Sequence, residues 1–241
     1  MSSCHPSTNL ISQFANGELD DVMSIMLSAH IDHCEQCHTL LDNTEAELAD
    51  EVFANSALVE PMSGSAHLLP SQSALSSLDV MSMLDEVVER PAPNVKDEHL
   101  DPASLIINIH GREVKIPKVV SSLSARSGPW TRVTDKLWRS PVTVHGQPYQ
   151  IDFIYMEAGG TIPKHTHRGN EVTLVLDGDF ADENGTYGPG AMITCNDKDN
   201  HTPYSNTGCL CLAAIDAPLH FVSGFARLLN PFSNLFFKTG G

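Results

Sequence analysis

Apolar residues over the first hundred positions recur with the period of a helix. After Gly17, the run Glu18–His33 sets Leu19, Val22, Ile25, Met26 and Ala29 along one stripe, the spacing of a helix that buries a single face. A shorter helix before it starts near Pro6. Residues 38–60 continue the pattern through Leu40, Leu41, Leu48, Val52 and Phe53, with acidic residues on the opposite face. A stretch rich in Pro, Ser and Gly, Pro61–Ser73, interrupts the pattern. Leu75, Leu78, Met81, Leu84 and Val88 then space out a fourth helix that ends near Arg90 and Pro91.

Beyond residue 104 the period changes. Leu105–Ile109, Gln150–Met156, Glu171–Leu176 and Cys209–Ala213 are short runs of β-branched, aromatic and aliphatic residues. Turn pairs such as Asp177-Gly178, Asn184-Gly185 and Pro189-Gly190 separate them, the pattern of an antiparallel sandwich or barrel. The expected fold is α+β and multidomain. A helical domain of about four helices covers 1–90, a linker 91–104, a β-barrel 105–218 and an apolar extension 219–241. That extension is broken by Asn230-Pro231 and reads as packing on a domain surface.

Charge sharpens the division. Residues 1–100 carry 17 Asp and Glu against only Arg90 and Lys96, whereas residues 101–241 carry 13 acidic residues against 12 Lys and Arg. An acidic half of this kind repels nucleic acid and acidic membranes and suits a basic protein face. No run of 18 apolar residues is present to span a bilayer. The start, MSSCHPSTNL, lacks the basic and apolar segments of a secretory signal, so the expected location is cytoplasmic.

Two groups of residues carry chemistry. In the first, His30, Cys34 and Cys37 stand at i, i+4 and i+7, on one face if a single helix runs through them. Two sulfurs and an imidazole call for a fourth ligand to complete a tetrahedral zinc site. His5, just before Pro6, is the best placed, with Cys4, His33 and His38 as competitors. A redox dithiol is the other use of Cys-x-x-Cys, but that motif usually opens a helix after a strand, and no strand precedes it here. A small acidic helical domain also has few core residues, so a metal staple fits its size.

A His near the N-terminus followed by His-x3-Cys-x2-Cys resembles the zinc-binding anti-sigma domain of bacterial regulators. The resemblance implies a Zn2+ ion at His5, His30, Cys34 and Cys37. It also implies a partner, an extracytoplasmic-function sigma factor held between the helices. The acid excess is an independent reason for a partner with basic faces.

The second group is Gly159-x5-His165-x-His167-x3-Glu171-x6-Gly178, which matches the first cupin motif at every spacing. His165 and His167 lie two apart on a strand and share a face, and Glu171 follows after a short turn. Two imidazoles, a carboxylate and a third imidazole suit Zn2+ or another divalent metal. The second cupin motif is irregular: after Tyr187-Gly188-Pro189-Gly190 the next histidine, His201, comes eleven residues later. His201 is taken as the third imidazole, with His220 and His145 as fallbacks and a metal-free degenerate cupin as the alternative.

The pairing of the two groups resembles the ChrR family, which inhibits a sigma factor and mediates the response to singlet oxygen or organic peroxide. The resemblance implies a regulator rather than an enzyme. It would bind no nucleic acid or membrane directly and would receive a small molecule or oxidant in the cupin pocket. A rival reading is a metal-dependent cupin oxygenase or isomerase with a helical docking module. Cys209 and Cys211 share a strand face and read either as oxidation sensors or as buried structural thiols.

Overall fold

The computed structural model describes residues 4–56, 104–109 and 111–222. Three helices open the chain: α1 (Thr8–Ala15), α2 (Asp21–Ile31) and α3 (Glu35–Ser56). Ser7 caps α1, its side chain accepting the Leu10 N–H. Asp20 caps α2 through the N–H groups of Val22 and Met23, and the Tyr149 hydroxyl donates to the same carboxylate. The helix expected over Glu18–His33 stops at Ile31. There the N–H of His33 bonds to the carbonyl of His30, and that of Cys34 to the carbonyl of Ile31; these i−3 bonds tighten the last turn and end the helix. The fourth expected helix, over Leu75–Val88, and residues 223–241 of the apolar extension lie outside the described residues. Among those described, no helix is long and apolar enough to cross a membrane.

The chain continues into a hairpin, β1 (Ser104–Ile109) and β2 (Arg112–Pro117), and a one-turn helix, α4 (Ser121–Ser124). There follow β3 (Thr131–Thr134), β4 (Leu137–Val142), β5 (Gln150–Met156), β6 (Gly160–Thr161), β7 (His165–Thr166) and β8 (Glu171–Gly178). After them come β9 (Phe180–Asp182), β10 (Gly185–Tyr187), β11 (Met192–Cys195), β12 (Asn200–His201), β13 (Tyr204–Ser205), β14 (Cys209–Ile215) and β15 (His220–Phe221). A six-stranded sheet has the order β11-β8-β14-β5-β4-β3, a four-stranded sheet β10-β9-β13-β6 and a three-stranded sheet β12-β7-β15. All four expected strand runs are strands, each within two residues of its expected ends. The fold is α+β, with helices in the N-terminal region and a cupin-like β-sandwich after them.

The expected barrel is not closed; its strands divide into separate sheets. The division has a visible cause. β6 and β7 lie on one stretch of chain interrupted by Pro163, and β12 and β13 on another interrupted by Pro203; β6 pairs with β13 and β7 with β12. Proline offers no N–H to continue a ladder, so the pairing lapses where the two prolines fall. The Ile162 N–H and the Thr161 hydroxyl, both donating to the Pro203 carbonyl, bridge the gap.

The six-stranded sheet is buried on both faces at its central strand, β14, and the sequence of that strand shows it. All seven residues of β14 are buried, which makes the strand a continuous apolar run instead of an alternating one. Leu210, Leu212 and Ala214 belong to an apolar cluster with Phe153, Leu174, β2 and helices α1 and α2. Cys209 and Cys211 belong to a second cluster with Met156, Phe180 and Tyr187. Gly178 closes β8 at φ +77°, where a Cβ would lie 1.9 Å from the Gly208 carbonyl oxygen; only glycine lets β8 and the start of β14 approach so closely. Among the described residues, those up to Ala46 and those from Ser104 on belong to one compact unit, and α3 from Glu47 on belongs to a second.

Candidate metal centres

The first centre sits where three chain segments meet. His5 lies just before the cap of α1, His30 in the last turn of α2, Cys34 in the connection, and Cys37 in the first turn of α3. One ligand atom from each lies within 4.8 Å of the others. The Cys34 and Cys37 sulfurs are 3.3 and 3.5 Å from His5 Nδ1. The continuous helical face expected to present His30, Cys34 and Cys37 is instead a helix–turn–helix junction, and the break after Ile31 brings them together. Cys4, His33 and His38 stand outside the group: the His33 ring bonds back to the Ala29 carbonyl, and His38 pairs with Asp42 on the surface.

His30 tests whether this group suits a metal. Its Nδ1 lies 2.6 Å from the Gly190 carbonyl oxygen, which can only accept, so Nδ1 carries the proton. Nε2 is therefore a bare lone pair, buried and without a hydrogen-bond partner. An orphaned acceptor is costly unless something electrophilic meets it. Burial, and after it the neighbouring Cys34, push the Cys37 thiol up to about 12; a cation would draw it down to the thiolate. Two sulfurs and two imidazoles are the donor set of a structural zinc site, and the residues fit.

The second centre gathers His165 on β7, His167 just after it, Glu171 at the start of β8 and His201 on β12, again within 4.8 Å. All three imidazoles are buried. His201 Nε2 lies 3.1 Å from His165 Nε2 and 3.3 Å from His167 Nε2. The His165 Nδ1 donates to the Pro163 carbonyl at 3.0 Å, and the His201 Nδ1 to Asp182 at 3.3 Å. Neutral rings so committed turn their lone pairs on one another, an arrangement that a cation between them makes attractive. His167 Nδ1 is buried with no hydrogen-bond partner, 3.2 Å from the Glu171 carboxylate. Desolvation pulls His165 down to about 4 and lowers His167 too, so both stay neutral, as ligands must be. His145 is exposed in the loop before β5, and His220 is half-buried on β15; neither joins the group.

Two contributors escape sequence reasoning. Asp182 is buried, accepts from His201, and is itself held by the N–H groups of Asn184 and Gly185. The Gly190 carbonyl orients His30 from 160 residues away. Only the turn signals Asn184-Gly185 and Pro189-Gly190 hinted at either. Cys209 and Cys211 do share a face, their sulfurs 3.9 Å apart, and both are buried. Beside the second centre is a cavity of about 50 Å³, lined by His165, Glu171, Ile154, Met156 and Phe180 among others.

Comparison with known proteins extends these observations along the chain. Residues 121–217 match the ChrR Cupin-like domain family. The chain is 29% identical over 233 residues to the Anti-sigma-E factor ChrR of Cereibacter sphaeroides, spanning 95% of this chain and 96% of that protein. Among solved structures it resembles a chain in the crystal structure of Rhodobacter sphaeroides SigE in complex with the anti-sigma ChrR. That likeness, at 20% identity and a TM-score of 0.56 over 88% of this chain and 98% of the other, concerns the fold. The resemblance to the ChrR family drawn from the two motif groups is thus borne out over both.

Proposed function

We propose that this chain is a cytoplasmic anti-sigma factor and negative regulator of transcription. Its helical domain, residues 1–90, would sequester an extracytoplasmic-function sigma factor. Its cupin-like domain, residues 105–218, would receive an oxidative signal of the singlet-oxygen or organic-peroxide class. The observation that carries this reading is the match to an anti-sigma factor along 95% of the chain. Charge supports it: α3 exposes Glu35, Asp42, Glu45, Glu47, Asp50 and Glu51 beside the apolar Val52 and Phe53, a surface suited to a basic partner.

His5, His30, Cys34 and Cys37 would hold Zn2+, and His165, His167, Glu171 and His201 a second divalent ion, Zn2+ by preference. Bound at the first centre, zinc would supply a cross-link among α1, α2 and α3, and its binding free energy would add to folding. The chain's own residues prepare that site by fixing the His30 tautomer and burying Cys37.

Co-expression of the full chain with the extracytoplasmic-function sigma factors of its source genome, followed by copurification, tests the reading. One sigma factor is expected to co-purify. Cys34→Ser or Cys37→Ser should lose both zinc and the complex, whereas His165→Ala or Glu171→Gln should keep the complex but blunt its release by organic hydroperoxide. If no sigma factor is retained by the wild-type chain, the anti-sigma reading falls.

A further inference from the structure

The two metal centres are not independent neighbours, because a single strand joins them. At its leading end, the turn into β11 holds the first centre twice. The Gly190 carbonyl accepts a hydrogen bond from His30 Nδ1 at 2.6 Å, and the Met192 N–H donates to the carbonyl of Cys4, the residue before His5, at 3.1 Å. Two of the four ligands are therefore positioned by the stretch Gly190–Met192. The same turn leaves no slack. Gly190 stands at φ +87°, and a Cβ there would lie 2.4 Å from the Cβ of His33, three residues past His30.

At its far end, β11 reaches the second centre. Cys195 is the register partner of Glu171, and its sulfur lies 3.9 Å from His201 Nδ1. Two paired residues, Ile193 and Thr194, separate Met192 from Cys195, each opposite a residue of β8. A hydrogen-bonded strand this short moves as one piece.

We propose that β11 and its leading turn couple the two centres: the ligand set of the second fixes the position of β11, and β11 fixes the ligand atoms of His30 and His5 in the first. Gly190 is a positioning residue for the zinc site although it belongs to the β-sandwich. The inference rests on reading His5, His30, Cys34 and Cys37 as a zinc site, and it names how a signal at the second centre is transmitted. Because coupling is reciprocal, a perturbation of either centre weakens the hold of the other on its ion.

The test uses the full-length chain and two metals. Cobalt(II) is the probe for the first centre, since its thiolate charge-transfer band marks Cys34 and Cys37 and not the nitrogen–oxygen set. Zinc affinity there is read by displacement of cobalt. Gly190→Ala should weaken the first centre by about 10–100-fold, the usual effect of disturbing a partner outside the ligand set. Gly188→Ala is the matched control in the same turn, because a Cβ there meets nothing within 4 Å; it should leave affinity unchanged. His201→Ala, on β12 beside Cys195 at the far end of β11, should weaken the first centre by about 5-fold or more, within the ordinary range of coupling between sites. Circular dichroism checks that each variant is folded. Wild-type affinity in both Gly190→Ala and His201→Ala overturns the coupling and leaves the zinc reading intact. Absence of the thiolate band from the wild-type chain overturns both.

Discussion

An imidazole becomes a useful ligand only when something fixes which nitrogen carries the proton, and both centres achieve this with an acceptor outside the ligand set. Pro163 and Gly190 provide carbonyls for His165 and His30, while Asp182 provides a carboxylate for His201. Asp182→Ala is expected to lower the affinity of the second centre by about 10–100-fold, read as metal content by elemental analysis after dialysis against a weak chelator. Asp182→Asn, which keeps an acceptor oxygen, should restore most of it; full metal content in the alanine variant would show that the residue positions nothing. At this scale the sequence was legible where ligands lie close together. His165, His167 and Glu171 fall within seven residues, and strand and turn geometry alone predict their convergence. His201 was legible only as one of three candidates, because its place depends on how β12 pairs with β7. Asp182 was invisible, since nothing local links it to a histidine 19 positions on.

Elements were legible in proportion to how far local pattern governs them. Four strands, β1, β5, β8 and β14, announced themselves, and β14 did so because a strand covered on both faces has no polar positions to confuse the pattern. The joint between α2 and α3 was legible as a boundary but not to the residue: the pattern carries one helix to His33 and starts the next at residue 38, whereas α2 ends at Ile31 and α3 starts at Glu35. Periodicity senses the apolar stripe and not the i−3 hydrogen bonds of His33 and Cys34 that end α2. Nor did the pattern decide between an open sandwich and a closed barrel, because the prolines that divide the sheets act only once the pairing partners are known. The double burial of β14 has an energetic consequence. Leu212→Ala should cost about 2–5 kcal/mol, the range for a fully buried leucine in a core that cannot collapse around the gap. Val133→Ala, on the exposed edge strand β3, should stay within about 0.5 kcal/mol. Urea denaturation of the two variants measures the difference; equal midpoints would mean that β14 is not a central strand.

Across the molecule, composition and charge divide the chain near residue 100, and packing adds a relation that neither shows. Ile11, Val22, Met26 and Leu27 from the helices share one apolar cluster with Val114 and Ile116 of β2 and with the outward face of β14. Contacts between segments so far apart in the chain leave no trace in local periodicity, so this relation is found only in three dimensions. Its thermodynamic meaning is cooperativity: a core built from both regions cannot lose one part without exposing the apolar face of the other. The two tryptophans, Trp130 and Trp138, pack against that cluster from the β-rich region, whereas among the described residues the helical signal in the far ultraviolet comes chiefly from α1–α3. Heating the full chain should therefore give the same midpoint by tryptophan fluorescence and by helical ellipticity. A thiol-competing chelator that strips the first centre should lower both midpoints together, although the tryptophans belong to the region that the first centre does not occupy. Separate transitions, or a chelator effect confined to ellipticity, would mean that the helices merely rest on the sheet; the strand β11 would then have nothing to transmit.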